Sequence, residues 1–295
     1  MRILVLSLFA VAISMIGTTN AFLPGIDVEL VNTGCLVTLS FNRRVNVDTT
    51  QRINFVISGD GVGYRGSVLM LPSVTFEEVD YQAAVTVPTT LKVDMVMATA
   101  SGRKTETQEI DIPRCADVTH DPHILTFDGR RYTYQGLCWH TIVKDCSGKP
   151  PRFEVLGKFE PRDPLDREIR SRTTDVTVIV GGQVIEMDTH NNVKVNGRPA
   201  ESTFELVGGK MHVAVDNTKD RYTVVSVKDT IAVTWNGAEH GLNAAVEGGN
   251  NVTLCGMLGD ANGDPSNDLT MRNGLVTTDV NEFGKSWKID ELRCD

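Results

Sequence analysis

Between Ile26 and Pro113, short segments that alternate apolar and polar residues are separated by Gly, Pro, Asn or Asp. A two-residue period of this kind indicates β-strands with one buried face. The segments are DVELV, CLVTLSF, INFVISG, SVLML, AAVTV, LKVDMVMA and TQEIDI. Their length and spacing predict a β-sandwich-like domain over residues 22–114.

The second half of the chain has the same period, with tight-turn dipeptides between the strands. Gly181-Gly182 separates VTVIV from QVIEM, Asn196-Gly197 follows VKV, and Gly208-Gly209 separates FELV from KMHVAV. These dipeptides favour two-residue hairpin turns. Successive hairpins predict an antiparallel sheet whose strand order mostly follows the sequence, so we expect an all-β chain.

Two segments break this pattern. The charged stretch from Arg162 to Arg172 (RDPLDREIRSR) is expected to be a surface loop. Between Thr278 and Phe283 the residues favour one short helix, because Thr278 or Asp279 can accept hydrogen bonds from its first N–H groups.

Residues 1–21 (MRILVLSLFAVAISMIGTTNA) have the layout of a secretory signal peptide. Arg2 supplies a positive charge, Ile3 to Ile16 an apolar run, and Thr19-x-Ala21 a small-residue cleavage site. A retained signal anchor is the alternative, but the apolar run is short for a bilayer span. We therefore expect a secreted, extracellular protein that is not inserted in a membrane.

The charge and the cysteines are compatible with that location. The formal net charge of -9 disfavours nucleic acid as a partner. All 6 cysteines lie beyond the predicted signal peptide and can pair in an oxidising compartment. Their spacing does not choose among the many possible pairings.

A stretch rich in acids and amides, residues 255–270 (CGMLGDANGDPSNDLT), follows the last predicted strands. Asp260, Asn262 and Asp264 alternate, so an irregular loop could aim their oxygens at one point, as a hard cation such as Ca²⁺ requires. A metal-free turn is the other interpretation, since Gly, Pro, Asn and Asp dominate turns for conformational reasons. Both interpretations stay open on these residues alone.

An EF-hand is excluded for this stretch. Its opening D-x-N-x-D fits the start of that loop, but Pro265 stands at the sixth position, which requires glycine. Met271 stands at the twelfth position, which requires a bidentate glutamate.

A second candidate segment, residues 119–144, contains His120, His123 and His140. The first two have a spacing compatible with zinc, but no paired cysteines accompany them. Solvent-facing or hydrogen-bonded histidines are therefore the favoured interpretation. In the same segment, Asp128-Gly129 predicts a hairpin turn.

Several motifs, taken in their order, resemble those of a known family. They are HDPHILTFDGRRYTYQGLCWHTIVKDC, DVTVIVGGQVIEM, IAVTWNG, LCGMLGDANGDPSNDLT and FGKSWK. This ordered set is similar to the von Willebrand factor type D domain. The resemblance extends from Cys115 to Cys294, so residues 115–295 are expected to form one such domain. Residues 22–114 carry no resemblance of this kind.

The resemblance implies a calcium site. In this family the ion lies between the loop after the late cysteine motif and the aspartate of TFDG. The residues implicated here are Asp128, Asp260, Asn262, Asp264, Asn267 and Asp268, with Asp264 contributing a backbone carbonyl. Asp260 stands where the family usually has asparagine, which adds a negative charge. The implied role of Ca²⁺ is structural, because the ion would join the first hairpin of the domain to its last loop.

The resemblance also bears on the cysteines. Several family members carry CGLC in the late motif, a pair implicated in disulfide exchange. Here the motif is Cys255-Gly-Met-Leu258, so neither redox activity nor disulfide-linked multimers are expected. The implied disulfides are Cys138–Cys294, Cys146–Cys255 and, because the usual partner of Cys115 is absent, Cys35–Cys115.

Two covalent modifications are hypotheses from the sequence. Some family members cleave themselves at the Asp-Pro bond of Gly-Asp-Pro-His. Here His120 replaces the glycine, so cleavage between Asp121 and Pro122 competes with an ordinary constrained turn. Asn251-Val-Thr253 is the sole sequon for N-glycosylation.

Enzyme motifs are missing from the sequence: it has no nucleophile elbow, phosphate loop or complete zinc motif. We expect a non-enzymatic, secreted, calcium-binding module for adhesion or the extracellular matrix, whose partner is an extracellular protein or matrix component. One alternative is a secreted regulator of a growth factor of the bone morphogenetic protein type, since some such regulators carry this domain. Another is a luciferase-like oxygenase, since ostracod-type luciferases contain it twice.

Overall fold

The structure is a computed structural model, and it divides the chain into two compact units, Met1–Pro113 and Arg114–Asp295. The division lies one residue before the expected boundary between residues 114 and 115. Nearly all regular structure is β-strand, which confirms the all-β fold class. The described residues are 16–33, 35–44, 50–59, 62–82, 85–163, 165, 170–190, 192–200, 204–206, 211–215, 222–227, 231–246, 252–292 and 294.

The N-terminal unit is built from two antiparallel sheets. Its strands are β1 (Ile16–Leu23), β2 (Ile26–Thr33), β3 (Leu36–Arg43), β4 (Gln51–Gly59), β5 (Val62–Met70), β6 (Phe76–Gln82), β7 (Thr89–Thr99) and β8 (Gly102–Ile112). They form two four-stranded sheets in the orders β1-β2-β3-β6 and β5-β4-β7-β8.

Alternate side chains of these strands form the core of the N-terminal unit. In β7, Leu91, Val93 and Met95 are fully buried, whereas the residues between them reach solvent. The rings of Phe41 in β3 and Phe55 in β4 lie 6.3 Å apart, so the two sheets meet face to face. This arrangement confirms the sandwich that the two-residue period predicts.

Two sequence expectations fall in β1 and after β6, and cleavage of a signal peptide stays a prediction. The end of the predicted signal peptide lies in β1, where Ile16 pairs with Thr33, so the expected cleavage site at Ala21 falls inside a strand. The predicted strand AAVTV is wrong at Val85-Thr86-Val87, which lie outside any strand after β6, and its first two residues lie outside the described residues. Acidic residues and an edge position give β6 little of the apolar alternation that marks the other strands.

The C-terminal unit is also built from two antiparallel sheets. Its elements are β9 (Arg114–Thr119), β10 (His123–Leu125), β11 (Arg131–Thr133), β12 (Cys138–Asp145), β13 (Phe153–Pro161), β14 (Ser171–Val180), β15 (Gln183–Asp188), β16 (Val193–Val195), β17 (Arg198–Ala200), β18 (Phe204–Leu206), β19 (Met211–Val215), β20 (Tyr222–Val227), β21 (Ile231–Asn236), β22 (Gly241–Val246), β23 (Leu254–Cys255) and helix α1 (Val280–Ser286). The sheet orders are β11-β10-β9-β22-β21-β20-β19-β18 and β17-β16-β15-β14-β13-β12-β23.

The predicted tight turns connect neighbouring strands of this unit. Gly181 and Gly182 have φ angles of 55° and 79° between the paired ends of β14 and β15. Asn196 and Gly197 have φ angles of 50° and 74° between β16 and β17. Positive φ at both central residues is the geometry that Asn-Gly and Gly-Gly favour, so these two turn predictions are confirmed. The predicted turn at residues 208–209 lies outside the described residues.

The short helix α1 closes the C-terminal unit. Its N-cap is Asp279, whose carboxylate accepts hydrogen bonds from the backbone N–H groups of Asn281 and Glu282. The helix buries Phe283, which meets the ring of Tyr132 edge-on at 5.7 Å. The predicted helix and cap are thereby confirmed. None of the helices among the described residues has the length and apolar character to cross a membrane.

One disulfide fastens the C-terminal segment to β12, and another joins the neighbouring ends of β12 and β23. Cys138 at the start of β12 bonds Cys294, and Cys146 bonds Cys255 in β23, which are the pairs that the resemblance implies. Cys35 and Cys115 are each disulfide-bonded, and no described cysteine is free. Their pairing with each other stays a prediction.

His140 in β12 is a buried structural histidine. Its Nδ1–H donates to the carbonyl of Cys138 at 3.2 Å, which leaves Nε2 to accept from the hydroxyl of Tyr134 at 3.3 Å. The ring of Phe159 lies 5.2 Å away. Burial, as the largest cause, lowers the pKa of His140 to about 4, so the imidazole is neutral at physiological pH.

We expect His140 to make the C-terminal unit sensitive to acid. Its pKa is about 4 in the folded protein and about 6.5 in an unfolded chain. The unfolded state therefore binds more protons between these values, and stability is lost as the pH falls from 6.5 towards 4, by up to about 3 kcal/mol. Urea unfolding followed by tryptophan fluorescence measures this loss, because all 3 tryptophans lie in this unit.

The control for this prediction is the His140→Gln variant, which keeps a buried hydrogen-bonding side chain but cannot titrate. Burial raises the pKa of Asp117 to about 6, which has the opposite effect on stability over the same pH range. The difference between the wild type and the variant isolates the histidine. Parallel pH profiles for the two proteins would show that His140 does not contribute.

Candidate metal centre

The turn between β10 and β11 holds Asp128 in a fixed position. The N–H of Thr126 donates to the carbonyl of Arg130 at 3.0 Å, and the N–H of Arg130 donates to Oγ1 of Thr126 at 2.8 Å. Gly129 completes the turn with a φ of 94°, which glycine adopts without steric cost. The side chain of Asp128 is fully buried in this setting.

The late loop, residues 256–268, follows β23. Its first residues are hydrogen-bonded to β12, and the loop then reaches the turn that holds Asp128. The N–H groups of Met257 and Leu258 donate to the carbonyls of Thr141 and Ile142. The carbonyl of Leu258 then accepts a 3.0 Å hydrogen bond from the N–H of Phe127, which lies beside Asp128. Backbone hydrogen bonds thus bring the late loop against the TFDG turn, although more than a hundred residues separate them in the sequence.

Three carboxylates converge where the turn and the loop meet. One oxygen from each of Asp128, Asp260 and Asp268 lies within 4.8 Å of the others. Among the residues that the structure describes, no other three His, Cys, Asp or Glu side chains converge in this way. Of the three histidines of the second candidate segment, His140 is buried and hydrogen-bonded, and His123 is exposed with Nδ1 2.9 Å from Oγ1 of Thr133.

Several oxygens at this place are buried without a hydrogen-bond partner. They are Oδ2 of Asp128, Oδ1 of Asn267 and Oδ1 of Asp268. A buried polar atom that lacks a partner costs about 1–3 kcal/mol, and a charged one costs more. Oxygen atoms of carboxylates and amides are the ligands of hard cations. The atoms left unsatisfied by the protein are thus of the chemical type that a cation would satisfy.

The other oxygen of each buried carboxylate is held by the protein. Oδ1 of Asp128 forms an ion pair with Arg114 and accepts the N–H of Gly263 at 2.9 Å. Oδ2 of Asp268 accepts the hydroxyl of Thr126 at 2.5 Å. Each side chain is therefore fixed through one oxygen, and its second oxygen remains available to a ligand.

Without a cation, the arrangement disfavours ionisation of its own carboxylates. Burial raises the pKa of Asp268 to about 6, and the neighbouring Asp128 and Asp260 also raise it, whereas the hydroxyl of Thr126 lowers it. Burial likewise raises the pKa of Asp260. Nearby like charges and desolvation both favour the neutral acid. A bound divalent cation would reverse this preference.

The side chains of Asn262 and Asp264 form hydrogen bonds within the late loop, and a contribution of the Asp264 backbone carbonyl to a metal site stays a prediction. Asn262 is exposed, its amide N–H donates to Asp260 at 2.8 Å, and its oxygen accepts the N–H of Asp264 at 2.7 Å. Asp264 is also exposed, and its Oδ1 accepts the N–H of Ser266 at 2.9 Å. The alternation of these side chains closes the loop on itself, which is the typical use of Asn and Asp in turns.

Three residues that the sequence reasoning missed shape the site. Arg114 and Thr126 hold the carboxylates of Asp128 and Asp268. Gly259 has a φ of 81°, and a Cβ there would lie 2.1 Å from Oδ1 of Asp268. Thr126 and Gly259 belong to the TFDG and late motifs and could have been found from them. Arg114 lies outside both motifs and has no such signal.

The segment of the suggested self-cleavage forms a turn. His120 has a φ of 53°, a conformation in which glycine would be unstrained. The carboxylate of Asp121 lies 3.4 Å from Nη1 of Arg162, and Pro122 is buried. Cleavage of the Asp121–Pro122 bond stays a prediction. The sequon residue Asn251 lies outside the described residues, so its glycosylation also stays a prediction.

Comparison with known proteins covers the unit that contains this site. Residues 116–275, more than half of the chain, match the von Willebrand factor type D domain. IgGFc-binding protein from Homo sapiens is 28% identical over 171 residues, which are 57% of this chain and 3% of that protein.

Two further relatives match the same part of the chain. Zonadhesin from Sus scrofa is 28% identical over 58% of this chain and 7% of its own length. Alpha-tectorin from Homo sapiens is 31% identical over 58% of this chain and 8% of its own length. The matched part of this chain thus covers less than a tenth of the length of each of these relatives.

Proposed function

The chain belongs to the von Willebrand factor type D domain family, and from this we propose that it is a secreted, calcium-stabilised module that binds an extracellular protein or matrix component. The observation that carries the calcium part of the proposal is the set of buried oxygens without hydrogen-bond partners on Asp128, Asn267 and Asp268. A cation coordinated by all of these oxygens would remove the cost of burying the oxygens without hydrogen-bond partners.

Calcium suits these ligands better than other biological cations. The candidate ligands are carboxylate and amide oxygens, which favour Ca²⁺ or Mg²⁺ over the softer zinc and copper. When ionised, the three carboxylates of the cluster carry three negative charges, and Arg114 contributes one positive charge. The net charge of two negative units balances a divalent cation. Ca²⁺ accepts the irregular geometry of a loop more readily than Mg²⁺, which demands a near-octahedral shell.

Secretion and a protein ligand are supported by two observations. Disulfides such as Cys138–Cys294 and Cys146–Cys255 persist in oxidising, extracellular compartments. One relative is named for binding the Fc part of IgG, so we propose a protein surface as the class of partner. In this proposal the ion is structural, since it ties the TFDG turn to the late loop and so keeps the binding surface in shape.

Calorimetric titration of chelator-treated protein with calcium tests the metal site. We expect binding to the wild type, and binding weakened about tenfold or more by Asp128→Asn, because one ligand charge is lost at constant side-chain size. Asp264→Asn is the matched control in the same loop, since Asp264 is exposed and its side chain lies outside the carboxylate cluster. This control should bind calcium with nearly the wild-type affinity.

The same proteins test the structural role of the ion. Calcium should raise the melting temperature of the wild type and of Asp264→Asn, because a ligand that binds the folded state stabilises it. Equal melting of the wild type in calcium and in chelator would contradict the proposal. Affinity capture of extracellular proteins, done in calcium and repeated in chelator, then tests the interaction function. Loss of captured partners in chelator, and with Asp128→Asn, is the expected result.

A further inference from the structure

Arg114 lies beside the carboxylate cluster of Asp128, Asp260 and Asp268 and is not one of the proposed calcium ligands. It is the first residue of β9, and its guanidinium donates a hydrogen bond to Oδ1 of Asp128. The side chain of Arg114 is 19% exposed, and that of Asp128 is fully buried. Water therefore screens this ion pair less than it screens a pair on the surface.

The pairing of two strands explains this contact. Strands β9 and β10 are antiparallel, with Asp117 opposite Leu125. The same register, continued beyond the end of β10, places Arg114 opposite Asp128. The guanidinium thus reaches the cluster from a strand of the sheet, and not from the TFDG turn or the late loop. Arg114 also precedes residues 116–275, which match the family.

The two oxygens of Asp128 have different surroundings. Oδ1 accepts hydrogen bonds from Arg114 and from the N–H of Gly263, whereas Oδ2 is buried and has no hydrogen-bond partner in the protein. A cation bound to Oδ2 would therefore share one carboxylate with the guanidinium. Two positive charges at this separation repel each other, and the repulsion rises in proportion to the charge of the cation.

Other charges near the cluster would act less on a bound cation. The side chain of Arg130 donates to the carbonyl of Pro265 at 3.5 Å, in a contact that is exposed. Asp264 is exposed as well, and its charge has the opposite sign. Water screens both of these charges. The charge that the protein presents to a cation is therefore set mainly by the three carboxylates and Arg114.

We propose that Arg114 tunes the centre to a divalent cation, because it weakens the binding of a trivalent cation of similar size more than that of calcium. This inference rests on the proposed calcium site. With Arg114 the cluster has a net charge of two negative units, and without it the net charge is three negative units. Loss of the guanidinium would strengthen the attraction for every cation, and most for a trivalent one.

The ratio of the calcium dissociation constant to the lanthanum(III) dissociation constant tests this proposal. Lanthanum(III) has nearly the ionic radius of Ca²⁺ and also prefers oxygen ligands, so a displaced ligand affects both constants and largely cancels in the ratio. We expect Arg114→Gln to raise the ratio about tenfold or more, and Arg114→Lys, which keeps the charge, to leave it near the wild-type value. Calorimetric titration of the chelator-treated full chain measures both constants.

A second pair of variants repeats the comparison at a lower total charge. Asp260→Asn removes one negative charge at constant side-chain size, and the addition of Arg114→Gln should again raise the ratio about tenfold. The double variant has the net charge of the wild type, so this pair keeps the test decisive if repulsion prevents Arg114→Gln alone from folding. Arg131→Gln removes the same charge from an exposed position of β11 and should leave the ratio unchanged.

The outcomes separate this inference from the proposed function. A folded wild type that binds neither ion would overturn both. If the wild type binds calcium, a ratio that does not change on loss of Arg114 in either pair would overturn the role of Arg114 alone. A rise of the same size in Arg131→Gln would have the same meaning, since it would show that any nearby positive charge acts in this way.

Discussion

Gly259→Ala is expected to weaken calcium binding by about 10- to 100-fold, although residue 259 offers no side-chain ligand. The added methyl group would lie 2.1 Å from Oδ1 of Asp268, the oxygen that has no hydrogen-bond partner in the protein. Asp268 has little freedom to retreat, because it is buried and its second oxygen is bonded to Thr126 at 2.5 Å. The clash therefore displaces a proposed ligand from the carboxylate cluster.

The backbone adds a second cost to this substitution. Gly259 has a φ of 81°, where an L-residue is destabilised by about 1–2 kcal/mol. Gly274→Ala is a matched control for this cost, since Gly274 lies outside the late loop, has a φ of 86° and has no atom within 4 Å of an added Cβ. The control should lose stability but keep its calcium affinity. Equal losses of affinity in the two variants would show that backbone strain, and not displacement of Asp268, is responsible.

The strands were predictable where the core and the turns impose the pattern. Strand β7 alternates fully buried residues with outward-facing ones, and the Asn196–Gly197 turn has the positive φ angles that this dipeptide favours. Helix α1 was predictable from its cap, Asp279. The alternation of apolar and polar residues did not predict β6, because an edge strand that presents acidic side chains to solvent has little apolar periodicity.

The candidate site was less predictable than the fold. Asp128 and Asp268 are 140 positions apart, and no local pattern connects them. They meet because the N–H of Phe127 bonds the carbonyl of Leu258, a contact that depends on the assembled sheets. In the sequence analysis only the family resemblance joined the two segments. It did not distinguish Asn262, which closes the loop, from Asn267, whose oxygen is left buried and unsatisfied.

The geometry of the site also gives the proposed ion a role in stability. Burial, and then repulsion from Asp128 and Asp260, raises the pKa of Asp268 to about 6. Arg114 neutralises one charge but bonds only Asp128. The remaining repulsion acts between Asp260 and Asp268 within the late loop. A cation bound to all three carboxylates would remove this repulsion and link the late loop to the TFDG turn.

Removal of the Cys138–Cys294 disulfide should have the largest effect on the stability of the C-terminal unit. The bond closes a segment with a sequence separation of 156, and the double variant Cys138→Ser with Cys294→Ser should unfold more easily by about 5 kcal/mol. The reason is that the bond restricts the unfolded chain, whose entropy rises when the segment is released. Urea unfolding followed by tryptophan fluorescence reports on this unit alone, since Trp139, Trp235 and Trp287 all belong to it.

Calcium binding separates the role of this disulfide from that of the metal site. Cys138 and Cys294 lie outside the carboxylate cluster, so the folded double variant should bind calcium with the wild-type affinity. The variant should also gain stability from calcium as the wild type does. A stability loss below about 1 kcal/mol would show that the segment ending at Cys294 does not unfold together with the sheets, and the entropic account would then be wrong.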